Sequence, residues 1–182
     1  MSLRFAILTA LTERSATGLS LARRFDRSIG YFWRASHQQI YRELDRLSAS
    51  GLIQEEPATG TTGRGQPRQF RITADGRRLL RGWIQEDDEP SPDRVSVVVR
   101  VRAAAATGDA QAVRSAVRYH LERRLETLET YKDIEQRDFT PGDGGFDVAH
   151  ELQHLVLRSG LLVEQAWIDW CHEVLEVLDR AS

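Results

Sequence analysis

SHQQIYRELDRLSASGLI, residues 36–53, is the stretch of this chain that decides its fold. Ser36 is a favourable helix N-cap, and Gln39 three residues later completes a Ser-x-x-Gln capping box. Gly51 is typical of the left-handed residue that ends a helix, and the apolar pair after it leads into a strand. Between these signals, apolar residues recur at i, i+4 and i+7, which is the spacing of one helix face. They are Ile40, Leu44 and Leu47.

The polar residues left off that face indicate a DNA-binding helix. They are His37, Gln38, Tyr41, Arg42 and Arg46. Side chains of these types hydrogen-bond to base edges and phosphates when a helix lies in the major groove. Gln38 is the candidate for a base edge, because an amide can pair bidentately with adenine. Arg42 and Arg46 are expected at phosphates, and the Ser36 hydroxyl at the helix start belongs to the same expected surface.

The flanking sequence predicts a winged helix-turn-helix order. Two helices are predicted before the segment, over residues 2–13 and 18–28, and two short strands after it, over residues 54–57 and 69–73. TGTTGRGQPR between the strands is rich in Gly and Thr, which is typical of a hairpin tip. A further helix extends to about residue 85. Three helices, a hairpin and a fourth helix in this order predict a winged helix-turn-helix domain.

The hairpin tip and the start of the second helix extend the expected DNA surface. Arg64 and Arg68 are expected to reach phosphates or the minor groove, since the glycines around them allow close backbone approach. Thr17 and Ser20 can add phosphate hydrogen bonds at the N-terminus of the second helix.

The second half of the chain predicts helices only. An acidic, proline-bearing linker is placed at residues 89–93, between a DNA-binding domain over 1–88 and a helical dimerisation and effector domain over 94–182. Helices are predicted from about residue 95 to Gly108, from Asp109 to about residue 137, and over 147–179. The last is apolar on most sides, which predicts a second subunit against it. The expected dimerisation residues are Leu3, Ile7, Val117, Leu121, Leu125, Leu128, Leu155, Leu162 and Trp167.

The charge distribution agrees with this division. Residues 1–86 carry 14 arginines against 8 acids, whereas the remainder carries 11 basic residues against 19 acids. A basic half joined to an acidic half is typical of a module that meets a polyanion and a module that does not. One cysteine, no long apolar run and no signal-peptide pattern predict a cytoplasmic protein without a membrane partner.

These residues resemble the PadR family of bacterial transcriptional regulators over nearly the whole chain. The resemblance rests on the Ile-Tyr-x-x-Leu-x-x-Leu-x-x-x-Gly-Leu order of residues 40–52, with Leu-Arg-Phe-Ala-Ile-Leu at residues 3–8 and Thr-Gly-Leu-Ser at 17–20. Leu-Val-Leu-Arg-Ser-Gly at residues 155–160 and Trp-Ile-Asp-Trp at 167–170 are similar to the helical domain of the longer-tailed members.

The resemblance implies a dimeric repressor that holds operator DNA with its third helix and wing. It also implies release of the DNA when a small molecule or another signal shifts the dimer. One departure is Arg42, which stands where the family frequently has proline or a small residue. We expect this departure to alter contacts at the groove edge more than the fold.

We therefore predict a sequence-specific DNA-binding regulator, a ligand-responsive homodimeric repressor of a pseudo-palindromic operator, with no enzymatic activity and no cofactor. A small aromatic or apolar effector is expected near the tryptophans. They are Trp33, Trp83, Trp167 and Trp170.

Two alternatives from other classes stay open on the sequence. One is a winged-helix module that binds proteins and never DNA. The other is a zinc hydrolase, because His150-Glu-Leu-Gln-His154 is a literal His-Glu-x-x-His. A continuous helix would place Glu173, the spaced third ligand, about 28 Å along the axis from His154, which disfavours a metal site.

Overall fold

A computed structural model describes five stretches of the chain. They are residues 3–27, 35–57, 68–87, 95–140 and 147–180. The chain divides into two compact units, Met1–Pro90 and Ser91–Ser182. Each unit has its own hydrophobic core.

The first unit contains four helices and three short strands within its described residues. They are α1 (Leu3–Glu13), β1 (Ala16–Thr17), α2 (Gly18–Arg27), α3 (His37–Ala49), β2 (Ile53–Pro57), β3 (Arg68–Ile72) and α4 (Ala74–Ile84). This is the helix, helix, helix, hairpin, helix order that the sequence predicts. The predicted element boundaries differ from the observed ones by about one residue.

The sheet has one strand more than the sequence predicts. Its strands are all antiparallel in the order β1-β3-β2, with Ala16 opposite Phe70 and Ile53 opposite Ile72. β1 has only two residues, too few for a visible alternation of apolar and polar side chains. Its extended conformation comes from pairing with β3. No pattern within the two residues themselves predicts this pairing.

The core of the first unit is built from the apolar faces of the helices and one face of the sheet. The three apolar residues of α3 that define its predicted stripe are each no more than 1% exposed. The helix α4 is tied to the turn after α3, because the Thr73 hydroxyl donates to the Gly51 and Leu52 carbonyls at 2.8 and 3.0 Å. A Cβ at Gly76 would collide with the Leu52 carbonyl oxygen, so only glycine allows this approach.

The second unit is helical throughout its described residues. It contains α5 (Ser96–Thr107), a 3₁₀ turn (Ala110–Val113), α6 (Arg114–Asp138) and α7 (Val148–Arg180). Gly108, with φ of +74°, ends α5 in the left-handed conformation that favours glycine. The predicted single helix from Asp109 is in fact the 3₁₀ turn followed by α6, although Asp109 does accept from the Ala112 amide as a cap at 3.3 Å.

The helices α6 and α7 pair along much of their length. Gly160 of α7 allows this close approach, since a Cβ there would lie 2.7 Å from the Tyr131 ring. The opposite side of α7 exposes a series of large apolar side chains. They are Val148, Leu152, Leu155, Val156, Leu162, Val163 and Val177. Within the described parts of the chain, no helix combines the length and apolar character needed to cross a membrane.

Candidate nucleic-acid interface

The helix α3 begins with the predicted capping box. The Ser36 hydroxyl accepts from the Gln39 amide at 3.3 Å, and the Gln39 side-chain oxygen accepts from the Ser36 amide at 2.8 Å. These two bonds satisfy backbone donors that a helix start otherwise leaves open. The Gln39 side chain is engaged in this capping box. The Gln38 side chain is exposed and is not part of it.

One face of α3 is exposed and carries the predicted polar residues. Gln38, Tyr41 and Arg42 stand at i, i+3 and i+4, so they share the face opposite the buried stripe. His37 is also exposed at the first turn. Asp45, at i+7 from Gln38, falls on the same face; the sequence does not mark it as a site residue, because an acid on a DNA-facing surface repels phosphates.

The N-terminus of α2 lies against this face. A Cβ at Gly18, the first residue of α2, would collide with the Tyr41 ring, so the missing side chain lets the two helices meet. Thr17 caps α2. Its hydroxyl accepts from the Ser20 amide at 3.1 Å, and the Thr17 carbonyl accepts from the Ser20 hydroxyl at 3.0 Å. The structure therefore brings the predicted polar start of α2 beside the exposed face of α3.

Two of the predicted phosphate-binding arginines already contact acids. Arg46 pairs with Glu43 one turn away on α3 at 3.3 Å. Arg68, at the start of β3, contacts Glu55 at 2.9 Å and Asp45 at 3.4 Å. Arg64 and Trp33, which were also predicted as site residues, lie outside the described residues.

The remaining predicted effector tryptophans occupy two separate environments. Trp83 stacks on Phe5 within the first unit, with ring centroids 4.4 Å apart. Trp167 and Trp170 meet edge to face within the second unit at 5.5 Å. Their neighbour Arg124 lies over the Trp167 ring at 5.3 Å.

Arg124 is also the centre of a polar cluster between α6 and α7. Its guanidinium donates to Glu164 at 2.9 Å and to the His120 ring at 3.3 Å. Glu164 is 6% exposed, and its second carboxylate oxygen has no hydrogen-bond partner among the described residues. Burial, and then the charge of Arg124, lower the pKa of His120 below its ordinary value. Burial raises the pKa of the nearby Cys171 thiol.

The two histidines of the His-Glu-x-x-His motif hydrogen-bond to residues at the end of α6. His154 Nε2 donates to Glu135 at 2.6 Å, and His150 Nε2 donates to the Asp138 carbonyl at 3.2 Å. The Phe139 ring packs against both imidazoles. Among the described residues, no three His, Cys, Asp or Glu side chains are grouped so as to hold a metal ion. These contacts give the motif a structural role, which is to join the end of α6 to the first turns of α7.

The predicted dimerisation residues differ in their exposure. Ile7 and Val117 are fully buried in the cores of their own units, and Leu128 is 7% exposed. Leu3, Leu121 and Trp167 are partly buried. The three that present large apolar surface are Leu125, Leu155 and Leu162.

Comparison with known families assigns each half of the chain. Residues 7–82 match the model of the transcriptional regulator PadR-like family, and residues 94–179 match the model described as virulence activator alpha C-term. The probable transcriptional regulator Rv1176c of Mycobacterium tuberculosis is 40% identical, and the alignment covers 99% of both chains.

Solved structures with the same fold cover the full length. The virulence activator AphA of Vibrio cholerae superposes with a TM-score of 0.79 at 32% identity, over all of both chains. PadR of Bacillus subtilis, solved in complex with operator DNA, superposes with a TM-score of 0.80 at 22% identity, over 96% of this chain and 98% of that one. The same protein has also been solved with p-coumaric acid.

Proposed function

The chain belongs to the PadR-like family of transcriptional regulators, and from that premise we propose that it is a homodimeric, ligand-responsive repressor of a two-fold symmetric operator. The family membership confirms the sequence prediction of a DNA-binding transcriptional regulator rather than an enzyme. The zinc hydrolase and the module that binds only proteins are accordingly set aside. A regulator of transcription acts where the chromosome is, so we propose the cytoplasm as its compartment.

The observation that carries the DNA-binding site is the exposed face of α3. Gln38, Tyr41 and Arg42 present an amide, a phenol and a guanidinium side by side, and these are the groups that bind base edges and phosphates. The capping box fixes the start of the helix, and the Gly18–Tyr41 contact places α2 beside it. We therefore assign base contact to Gln38 and phosphate contact to Arg42, Arg46 and the α2 start at Thr17 and Ser20.

The proposal of a dimer rests on the outer side of α7. Leu152, Leu155, Leu162 and Val163 are all more than half exposed on one helix. A contiguous apolar patch of this kind on a soluble protein is typical of an interaction surface. A second copy of the chain, placed by a two-fold axis, would bury the same patch on both subunits.

A ligand response is supported by the aromatic cluster in the second unit. Trp167 and Trp170 form an apolar edge-to-face pair, with Arg124 and His120 supplying polar groups beside them. Aromatic walls with a few polar groups are the usual lining of a small-molecule site. The Bacillus subtilis relative, which takes an aromatic acid, directs the choice of probe.

Binding measurements on the promoter region of the chain's own gene test the DNA site. Arg42→Ala should weaken binding to all sequences alike and reduce the slope of log K against log salt by about 1.8, because each of the two subunits loses one phosphate contact. Arg102→Ala removes the same charge from an exposed position of α5 and serves as the matched control. Equal behaviour of the two variants would show that α3 is not the DNA-binding helix.

A titration with p-coumaric acid tests the ligand response. Trp emission should change saturably while operator affinity falls, and operator DNA must weaken the ligand by the same factor. A hundredfold release requires the ligand to prefer the non-binding state by roughly 2.7 kcal/mol. Saturable quenching with unchanged DNA affinity would identify a pocket that does not control the DNA site.

A further inference from the structure

The face of α3 assigned to DNA carries an acid. Asp45 lies about two helical turns beyond Gln38, on the same side of α3 as Tyr41 and Arg42. Its side chain is 65% exposed. A carboxylate on a surface that meets a polyanion repels every phosphate near it. The molecule must therefore compensate the charge of Asp45, or lose affinity for any DNA.

The compensating charge comes from the hairpin. β3 alternates so that Arg68 lies on the same face as Phe70 and Ile72, and the latter two are buried in the core. Glu55 is directly opposite Phe70 on β2, so it also belongs to this face. Arg68 and Glu55 thus occupy the inner face of the hairpin beyond the apolar core, where α3 passes.

Arg68 joins these elements with its two guanidinium ends. One terminal nitrogen contacts Glu55 on β2 at 2.9 Å, and the other contacts Asp45 on α3 at 3.4 Å. The guanidinium also lies 5.6 Å from the centre of the Phe70 ring. The planar fork of arginine suits two carboxylates at once, which a lysine ammonium on a flexible stem does not reproduce.

The cluster is too exposed to add much stability. Side chains between about a third and two-thirds exposed are well screened, and pairs of this kind contribute little to folding. The cluster instead changes the charge that this surface presents to a DNA phosphate. A guanidinium shared by two carboxylates carries no surplus charge to offer a phosphate.

We propose that Arg68 is a positioning residue, which offsets the charge of Asp45 and Glu55 and links the recognition helix α3 to the hairpin, and that it does not bind phosphate. This inference rests on the proposed DNA-binding face of α3. It reassigns Arg68 from the group of expected phosphate contacts. It also identifies Asp45 as a residue whose charge, once uncovered, opposes DNA binding.

A double-mutant cycle on the full-length chain distinguishes the two roles of Arg68. Arg68→Ala leaves two acids uncovered and should weaken operator binding about tenfold at low salt, with a smaller loss at high salt because salt screens the repulsion. Asp45→Ala should alter the affinity of the unmodified chain less than about twofold, since Arg68 already offsets part of its charge. In the Arg68→Ala background the same change should recover most of the lost affinity.

The results that would overturn the proposal are equally specific. A salt slope that falls by about 1.8 in Arg68→Ala, about 0.9 for each subunit, and is not restored when Asp45→Ala is added would assign the residue to a phosphate. Equal effects of Asp45→Ala in both backgrounds, or no effect of Arg68→Ala, would show that the two residues are not coupled. Arg68→Lys should lose part of the affinity, because one ammonium cannot bridge both acids.

Two controls separate this proposal from the function on which it rests. Thermal melts of all variants should coincide, because the three side chains are exposed. Gln38→Ala and Arg42→Ala should weaken operator binding whatever the role of Arg68. If these two variants bind like the unmodified chain, the α3 face itself is misassigned; if only the cycle fails, the face stands and the Arg68 proposal falls.

Discussion

We propose that the exposed face of α3 divides DNA recognition among chemically different side chains. The Gln38 amide has a donor and an acceptor, as adenine does in the major groove, whereas the Arg42 guanidinium matches any phosphate. The capping bond of Gln39 explains why neighbouring glutamines differ, since one closes the helix start and the other stays exposed.

Gln38→Ala tests this division of roles. Loss of a bidentate amide–adenine pair should cost about 1–3 kcal/mol of discrimination at one base pair of each half-site. Affinity for unrelated DNA should barely change, because the side chain carries no charge. Fluorescence anisotropy on the operator and on single-base variants measures both quantities, and a uniform loss over all sequences would contradict the assignment.

At the scale of elements, the α6–α7 pair is held around a buried acid. Arg124 is the ion-pair partner of Glu164, and the carboxylate is nearly inaccessible to water. Breaking such a pair from one side leaves a buried charge without compensation, whereas replacing both partners by apolar residues removes the problem. The pair therefore fixes how the two helices are aligned more than it stabilises them.

Arg124→Met should destabilise the chain by about 3 kcal/mol, and adding Glu164→Leu should restore most of that loss. Urea denaturation followed by circular dichroism measures both variants. Arg123→Met, at the position directly before Arg124 in α6, serves as the control because it removes an exposed guanidinium. It should change the free energy of unfolding by less than about 0.5 kcal/mol. A double variant as unstable as Arg124→Met alone would show that the pair is not the cause.

Stability should also depend on pH through His120. Burial and Arg124 lower its pKa, so the folded chain favours the neutral ring and the unfolded chain binds the proton more readily. The neutral His120 ring contributes its full share to the free energy of unfolding above the ordinary histidine pKa of about 6.5. That share is lost as the pH falls below this value toward the lowered pKa of the folded chain. The urea midpoint should therefore drop between pH 7.5 and 5.5, and His120→Gln should make this drop smaller. An unchanged pH dependence in the variant would assign the effect to other groups.

We expect the whole molecule to form a dimer, because the outer side of α7 leaves an apolar face exposed. Light scattering at micromolar concentration should give about twice the chain mass of 20.7 kDa. Leu162→Glu places a charge on that face and should shift the mass toward one chain, whereas Ile84→Glu, at an equally exposed position of α4, should not. A monomer in the unmodified protein would exclude both the dimer and the symmetric operator.

Much of this architecture could be predicted from the sequence, because its signals are local. The Ser36 cap, the stripe of α3 and the Gly51 stop each act within a few residues. The strand β1 and the Arg68 cluster could not be predicted in this way. Both depend on segments distant in sequence. The basic composition around Arg68 points to DNA, whereas the acids that pair with it become its neighbours only in the folded chain.

We propose that this chain reads a two-fold symmetric DNA site with the exposed face of α3. Selection of binding sequences from a random duplex library, with the unmodified chain and with Gln38→Ala in parallel, tests this proposal. The unmodified chain should enrich two inverted half-sites whose centres are about one helical turn apart. Gln38→Ala should enrich the same motif with one position lost in each half. No enriched motif, or an identical motif from both proteins, would contradict the claim.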